Sequence, residues 1–393
     1  MPEIHYATST GPVNIATLKY WGKRDKDLNL PTNNSISVTL DQNDLKTLTT
    51  ASCSESFKED HLWINGETYS LETPRSIQVL KDLRSLREEL EISNNELPKI
   101  SQFKLHIISE NNFPTAAGLA SSAAGFAALI SSVAKLYKLP TDYSELSKIA
   151  RKGSGSACRS LFGGYVAWEM GNLENGEDSK AIQIADRKHW PTMKAAILVV
   201  SDMKKDVPST SGMQLTVKTS DLFQYRINEV VPKRYIEMKE SILNKNFQKF
   251  AELTMKDSNS FHSVCLDSYP PIFYLNDTSK NIIKLINLLN EAAGKLIAAY
   301  TFDAGPNAVI YYEEENQDYV LGMLYKFFDK LDGWSNDKFN PANAKIFDSF
   351  PLSSLDKEIY SQGVSRIILT QVGEGPVETD DVLIDLETGL PKK

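Results

Sequence analysis

The sequence predicts an α+β fold of two domains, residues 1–190 and 191–393, and three observations carry that expectation. Short β-rich runs alternate with turns through the first third, without the strict strand–helix alternation of a parallel α/β sheet. The character changes around His189-Trp190-Pro191, and most of the second half reads as long amphipathic helices. At 393 residues the chain is long enough to bury a core in each of two such units.

In order, SISVTL, DHLWING and KLHIISEN read as strands, interrupted by a helix over 75–91. That helix places Ile77, Leu80, Leu83, Leu86 and Leu90 on one stripe, the side expected to face the core. A helix of small residues runs from about 120 to 139, and a second follows over 142–152. GSGSACRSLFGG then leads into the strand YVAWEM, and NLENGEDSK is a surface turn by composition. KAAILVVSD reads as a buried strand opening the second half. Helices are expected near 210–218, 221–245, 247–262, 278–293 and 317–329, with strands in KLIAAYTFDA, NAVIYYEE and SRIILTQVG. GWSNDKFNPANAKIFDSF is expected to be an exposed insertion.

A net charge of -8 argues against nucleic acid as a partner, which needs a clustered basic face. It does not argue against small anions. The first residues lack a secretory or transit pattern, GLPKK matches no retention, peroxisomal or lipidation signal, and no apolar run reaches the length of a membrane span. Cys53, Cys158 and Cys265 are few and widely spaced, which suits a reducing compartment, and the five histidines form no metal-ligand pattern. Cytoplasm is the expected location, with no membrane partner.

Four segments carry chemistry. In PTAAGLASSAAGF (114–126) a turn of small residues enters a helix, so free N–H groups and a positive dipole end point at whatever lies there. Polyphosphate suits such a place. The bland alternative is a small-residue helix packed against a neighbour with Ser121 as its cap, and this segment alone does not decide between them. A Walker A lysine is absent, so cations for phosphate must come from other segments. PVNIATLKYWGKRD supplies Lys19, Lys23 and Arg24 around Tyr20-Trp21, either as an anion site or as ordinary surface lysines. Asn14 could orient a hydroxyl or cap a turn. RKGSGSACRSLFGG offers Ser154, Ser156 and backbone N–H groups as a second anion nest, and Arg159 as a two-pronged carboxylate clamp. Cys158 is a nucleophile or, more in keeping with its surroundings, a packing residue. In AYTFDAGPNAV, Asp303 sits at a strand end before a tight turn, as a catalytic carboxylate or a turn cap. DVPSTSGMQ adds Ser209 and Thr210 at a helix start.

Together with ENNFPTAAGLASSAAGFAAL, MKDSNSFH and CLDSYPPIFYLND, these segments resemble the GHMP superfamily of small-molecule kinases, and within it the mevalonate diphosphate decarboxylases of fungal and animal type. Many long segments match in order from residue 12 to about 312, ILTQVGEGP and GLPK extend the likeness, and it thins over 317–357. Gly11 stands where alanine is usual, and Pro208 where a small polar residue is common. Ala120, where many superfamily kinases carry glycine, is what the decarboxylase branch has.

The resemblance implies a GHMP fold with a ribosomal-S5-like N-terminal domain, an active site in the cleft between domains, and a homodimer. It implies ATP and Mg2+ acting on mevalonate 5-diphosphate. Asp303 would accept the hydroxyl proton or stabilise a developing cation, with Lys19 tuning its charge. Arg159 and Asn14 would hold the substrate carboxylate, and Ser122 would orient the reacting centre. The diphosphate would lie against Tyr20, Trp21, Gly22, Lys23, Arg75, Ser154, Gly155, Ser156, Ala157, Cys158, Arg159 and Thr210. ATP would lie on Pro114, Ala117, Gly118, Leu119, Ala120, Ser121 and Ser122. Mg2+ would be held mainly by the ATP phosphates, with Ser122 the candidate protein contact and no dedicated cage. Two other readings remain open at this level: a kinase that stops at a phosphorylated product, and a non-catalytic sensor of ATP and ligand.

Overall fold

The computed structural model describes residues 2–113, 121–140, 142–200, 206–334 and 337–392. The first half opens with β1 (His5–Pro12), β2 (Asn14–Leu18), β3 (Lys23–Asp25), β4 (Leu30–Pro31) and β5 (Ser35–Thr39). Next come β6 (Lys46–Ser54), β7 (His61–Ile64), β8 (Glu67–Tyr69), α1 (Pro74–Ser93) and β9 (Lys104–Asn111). It closes with α2 (Ser121–Leu136), α3 (Tyr143–Gly153), a 3-10 turn over Gly155–Leu161, β10 (Tyr165–Glu169) and β11 (Lys180–Ala185). The second half holds β12 (Met193–Val199), α4 (Ser209–Thr219), α5 (Leu222–Tyr225), a π-helical turn over Arg226–Val230, α6 (Val231–Leu243) and α7 (Phe247–Leu266). After these lie α8 (Asp277–Ala293), β13 (Ala298–Phe302), β14 (Ala308–Glu313), α9 (Gln317–Phe328), α10 (Lys357–Ser361) and β15 (Arg366–Gln371).

Two larger sheets build the first half, in the orders β1-β6-β9-β7-β8 and β11-β10-β5-β2, beside the two-stranded pair β3-β4. A third, β13-β14-β12-β15, is antiparallel throughout and belongs to the second half. Its inner strand β12 is almost wholly buried, as the unbroken apolar run AAILVV requires. Helix α7 lies against both β2 and β13, so one apolar cluster joins Val13, Ile15 and Ile36 to Ala196, Ile197 and Phe302. Asn246 caps α7 by accepting the Lys249 N–H. The alanines of α2 serve packing: a Cβ on Gly11 of β1 would sit 2.3 Å from the Ala124 carbonyl oxygen. Helix and strand therefore meet nearly backbone to backbone.

Three expectations change. Helix α1 spans the expected region but turns a different face inward: Val79, Leu80, Leu83, Arg87 and Glu91 are buried, while Ile77 is 52% and Leu86 36% exposed. The Arg87 guanidinium donates to Glu91 (2.8 Å) and to the carbonyls of Tyr137 and Pro98 (both 2.7 Å), so the buried face is partly ionic. The helix expected over 221–245 is interrupted by the π-helical turn at Arg226–Val230. The segment 333–350 is not simply exposed. Trp334, Phe339 and Phe350 are buried, the Trp334 Nε1–H donates to the Phe328 carbonyl at 2.8 Å, and Phe347 stacks on Tyr319. Its aromatic residues outweigh its turn-rich composition.

Beyond β15 the chain returns to the first half. The Thr10 N–H donates to the Val377 carbonyl (2.9 Å) and the Thr379 N–H to the Thr8 carbonyl (3.2 Å), covering the outer edge of β1. No helix among the described residues is long and apolar enough to cross a membrane.

Candidate active site

A cavity of about 200 Å³ lies where β2, the turn after it, α1, α2, α4, the 155–161 turn and the end of β13 converge. Among the described residues four cations line it (Lys19, Lys23, Arg75 and Arg159) against one carboxylate, Asp303. In a chain of net charge -8 this is a local reversal of sign, and it selects for an anionic ligand.

The chain leaves the sheet at Lys19 because its partners pin it there. Asn33 donates to the Lys19 carbonyl at 3.0 Å, and the Thr32 hydroxyl donates to the Trp21 carbonyl at 2.9 Å. Gly22 adopts φ +93°, and a Cβ there would meet Phe223 and Thr32 within 2.6 Å, so the turn requires glycine. Trp21 locks the turn to the second half: its Nε1–H donates to Thr216 (3.0 Å) and its ring meets Phe261 edge-on at 4.7 Å.

Lys19 Nζ donates to Asp303 Oδ1 at 2.6 Å. The lysine is buried and Asp303 about one third exposed toward the cavity. Burial pushes the Lys19 ammonium down, and the neighbouring Asp303 carboxylate opposes that shift. Asp303 is held by a tight turn, its carbonyl accepting the Gly305 N–H at 2.7 Å. Behind Lys19, the fully buried Asp257 of α7 accepts its backbone N–H at 2.7 Å. Arg226 grips the same carboxylate with two bonds of 2.9 Å, and Arg234 adds a third of 2.9 Å. Burial opposes ionisation of Asp257, but the two guanidiniums and the Lys19 N–H hold its carboxyl below the usual range.

Arg159 is buried and lines the same cavity. Its nitrogens donate to Ser35 (2.6 Å), Ser37 (3.0 Å) and Asn14 Oδ1 (3.3 Å), all neutral oxygens. Asn14 is fixed in turn by donating to Ser160 (2.7 Å) and to the Ser156 carbonyl (3.0 Å). Among the described residues no carboxylate touches Arg159. A buried guanidinium without a counter-ion in contact is costly, and an incoming carboxylate would relieve that cost. Lys23 is also buried without an ion pair among the described residues, and burial, with Arg75 beside it, brings its ammonium down to about 8. Arg75, at the start of α1, donates to Thr210 at the start of α4 across 3.1 Å. The Tyr20 hydroxyl is buried without a hydrogen-bond partner among the described residues, and a Cβ on Gly155 would press on the Tyr20 ring at 2.7 Å.

The structure thus gathers Asn14, Lys19, Tyr20, Trp21, Lys23, Arg75, Ser122, Ser154, Gly155, Ser156, Arg159, Thr210 and Asp303 around one cavity. Ser121 and Ser122 open α2, and the Ser122 and Ser154 hydroxyls lie 3.3 Å apart. Gly22, Ala157 and Cys158 stand behind the wall rather than in it. Burial pushes the Cys158 thiol up to about 12, and its Sγ–H donates to the Gly155 carbonyl, so this cysteine packs and does not attack. Pro114, Ala117, Gly118, Leu119 and Ala120 lie outside the described residues. Sequence reasoning missed Ser35, Ser37, Asp257, Arg226 and Arg234. Asp257 lies in MKDSNSFH, a segment that carries the family resemblance, while Ser35 and Ser37 read only as part of the strand SISVTL and the two arginines only as part of a helix.

Residues 11–181 match the family model described as the diphosphomevalonate decarboxylase-like N-terminal domain, and residues 195–379 that of the mevalonate 5-diphosphate decarboxylase C-terminal domain. A diphosphomevalonate decarboxylase of Debaryomyces hansenii is 67% identical over 99% of this chain and 98% of its own length. A crystal structure of a mevalonate 5-diphosphate decarboxylase covers 98% of this chain and all of its own, at 59% identity and a TM-score of 0.91. A further solved relative, described as MDDEF in complex with MVAPP, AMPPCP and magnesium, shares 28% identity over 96% of this chain and 99% of its own, with a TM-score of 0.75. With matched models over both halves and such identity along nearly the whole length, the chain belongs to the mevalonate diphosphate decarboxylase family.

Proposed function

We propose that this chain converts mevalonate 5-diphosphate and ATP to isopentenyl diphosphate, CO2, ADP and phosphate. The observation that carries the reading is Arg159, a buried cation held among the described residues by neutral oxygens, in the same cavity as the Lys19–Asp303 pair. The substrate carries charge at both ends, and the cavity answers each end. Arg159 and Asn14 would take the carboxylate. Lys23, Arg75, Tyr20, Thr210 and the 154–159 segment would take the diphosphate.

Loss of CO2 leaves an electron pair, and this substrate has no adjacent carbonyl to receive it. Phosphorylation by ATP turns its tertiary hydroxyl into a leaving group. Asp303 would take the hydroxyl proton as the oxygen attacks phosphorus, with Lys19 Nζ donating to its carboxylate at 2.6 Å. The C–O bond to phosphate then breaks, cationic character grows at that carbon, and the C–C bond to the carboxylate supplies the electrons of the new alkene. Asp303 would also stabilise that cation. Ser121 and Ser122, at the start of α2, suit nucleotide phosphates. Mg2+ would arrive on the nucleotide, held mainly by its phosphates. We also infer a division into two domains near residue 190, a cytoplasmic homodimer and a place in isoprenoid and sterol synthesis. The three buried free cysteines support a reducing compartment.

Incubation with Mg-ATP and mevalonate 5-diphosphate should release ADP, phosphate and CO2 in equal amounts. ADP alone would make the chain a kinase, and ligand binding without ADP would make it a sensor. The Lys23 ammonium predicts a pH dependence. A bound diphosphate raises its pKa, so affinity is full below about 8 and falls as pH rises through that value. KM for mevalonate 5-diphosphate should climb above pH 8 in the native enzyme and lose that limb in Lys23→Gln.

A further inference from the structure

Strand β13 is the edge of its sheet, paired on one side with β14, and its other side faces α7. At its last residue the Phe302 N–H donates to the Ser258 hydroxyl of α7 at 3.1 Å. Phe302 immediately precedes Asp303. The residue before Ser258 is Asp257, which accepts the Lys19 backbone N–H at 2.7 Å. Two adjacent side chains of one helix therefore hold the backbone at both members of the Lys19–Asp303 pair, which come from positions 284 residues apart in sequence. Both are fully buried, and Asp257 is itself clamped by Arg226 and Arg234.

We propose that Asp257 and Ser258 are positioning residues for the Lys19–Asp303 pair, fixing its separation from a common rigid helix. The proposal rests on the decarboxylation reaction and adds residues that touch no substrate. Asp257 acts by charge as well as by its hydrogen bond. Among the described residues the charged groups facing Lys19 include Asp303 and Asp257, which favour its ammonium, and Arg159, which disfavours it. His262 of the same helix is held neutral by burial and by Lys19. Removing the Asp257 charge therefore lowers the pH at which Lys19 loses its proton.

Ser258→Ala changes no charge and removes one bond to the segment carrying Asp303. It should lower kcat about 10- to 100-fold with KM for both substrates little changed, and Ser258→Thr, which keeps the hydroxyl, should restore it. Asp257→Asn should move the alkaline limb of the kcat profile to lower pH, and lysine-selective NMR should find the Lys19 ammonium titrating lower than in the native chain. The NMR titration decides the placement even if the native chain released no CO2, whereas that failure would sink the proposed reaction. Native kcat in Ser258→Ala, or an unmoved Lys19 titration in folded Asp257→Asn, would overturn the proposal. A loss of Tm with kcat per folded molecule unchanged would overturn it equally.

Discussion

Asp303→Asn should reduce kcat by roughly 10²- to 10⁴-fold while mevalonate 5-diphosphate still binds with near-native affinity. Asparagine keeps the shape of the side chain and the turn closed by Gly305, but it cannot accept the hydroxyl proton. The groups assigned to the two ends of the substrate, Arg159, Lys23 and Arg75, are untouched. Lys19 loses its partner at 2.6 Å, and burial then favours its neutral form, so the site loses one carboxylate and part of one ammonium together. Calorimetric titration with mevalonate 5-diphosphate beside a CO2-release assay separates the two effects. Turnover within tenfold of native would remove Asp303 from its assigned role.

The second large effect is on stability. Arg87→Met should destabilise the protein by about 3–5 kcal/mol, the usual cost of removing one partner of a buried ion pair. Glu91 would remain buried, still accepting from Ser101 and Ile100, and the carbonyls of Tyr137 and Pro98 would lose their donor. The same pair predicts acid sensitivity. Burial opposes ionisation of Glu91, but its bonds to Ser101, Arg87 and Ile100 hold its folded pKa below the ordinary 4.5. Its contribution is therefore present above pH 4.5 and is lost as pH falls through the lower folded value. Chemical denaturation of both proteins at neutral and acid pH checks this, and the gap between them should narrow in acid. Because α1 carries Arg75, the weakened helix should also raise KM for mevalonate 5-diphosphate.

What the sequence made legible was local. Asn14, Lys19, Arg159 and Asp303 each sit in a short segment whose turn chemistry and residue types already point to an anion or a proton. The stripe on α1 was misjudged because periodicity finds an apolar face without saying which neighbour will cover it. There a buried arginine with three partners displaced Ile77 and Leu86 from the interior. The region 333–350 reads as a loop from its Asp, Asn, Gly and Pro residues, yet three aromatic side chains bury themselves against α9 and its surroundings. The clamp on Asp257 was illegible for a different reason: its partners, Lys19 on one side and Arg226 and Arg234 on the other, come from two segments far from each other in sequence, and only the fold brings them together.

The return of the chain to β1 has a consequence for biosynthesis. β1 and the residues that cover its edge, such as Thr10 and Val377, are separated by 367 positions. On the ribosome the first half emerges early and tends to fold first. Its outermost strand then presents unpaired backbone groups to other chains until residues 377–379 are made. Slow translation of the second half would lengthen that interval, and early termination would make it permanent. Shortened products should accordingly aggregate through β1 even when both catalytic segments have been synthesised.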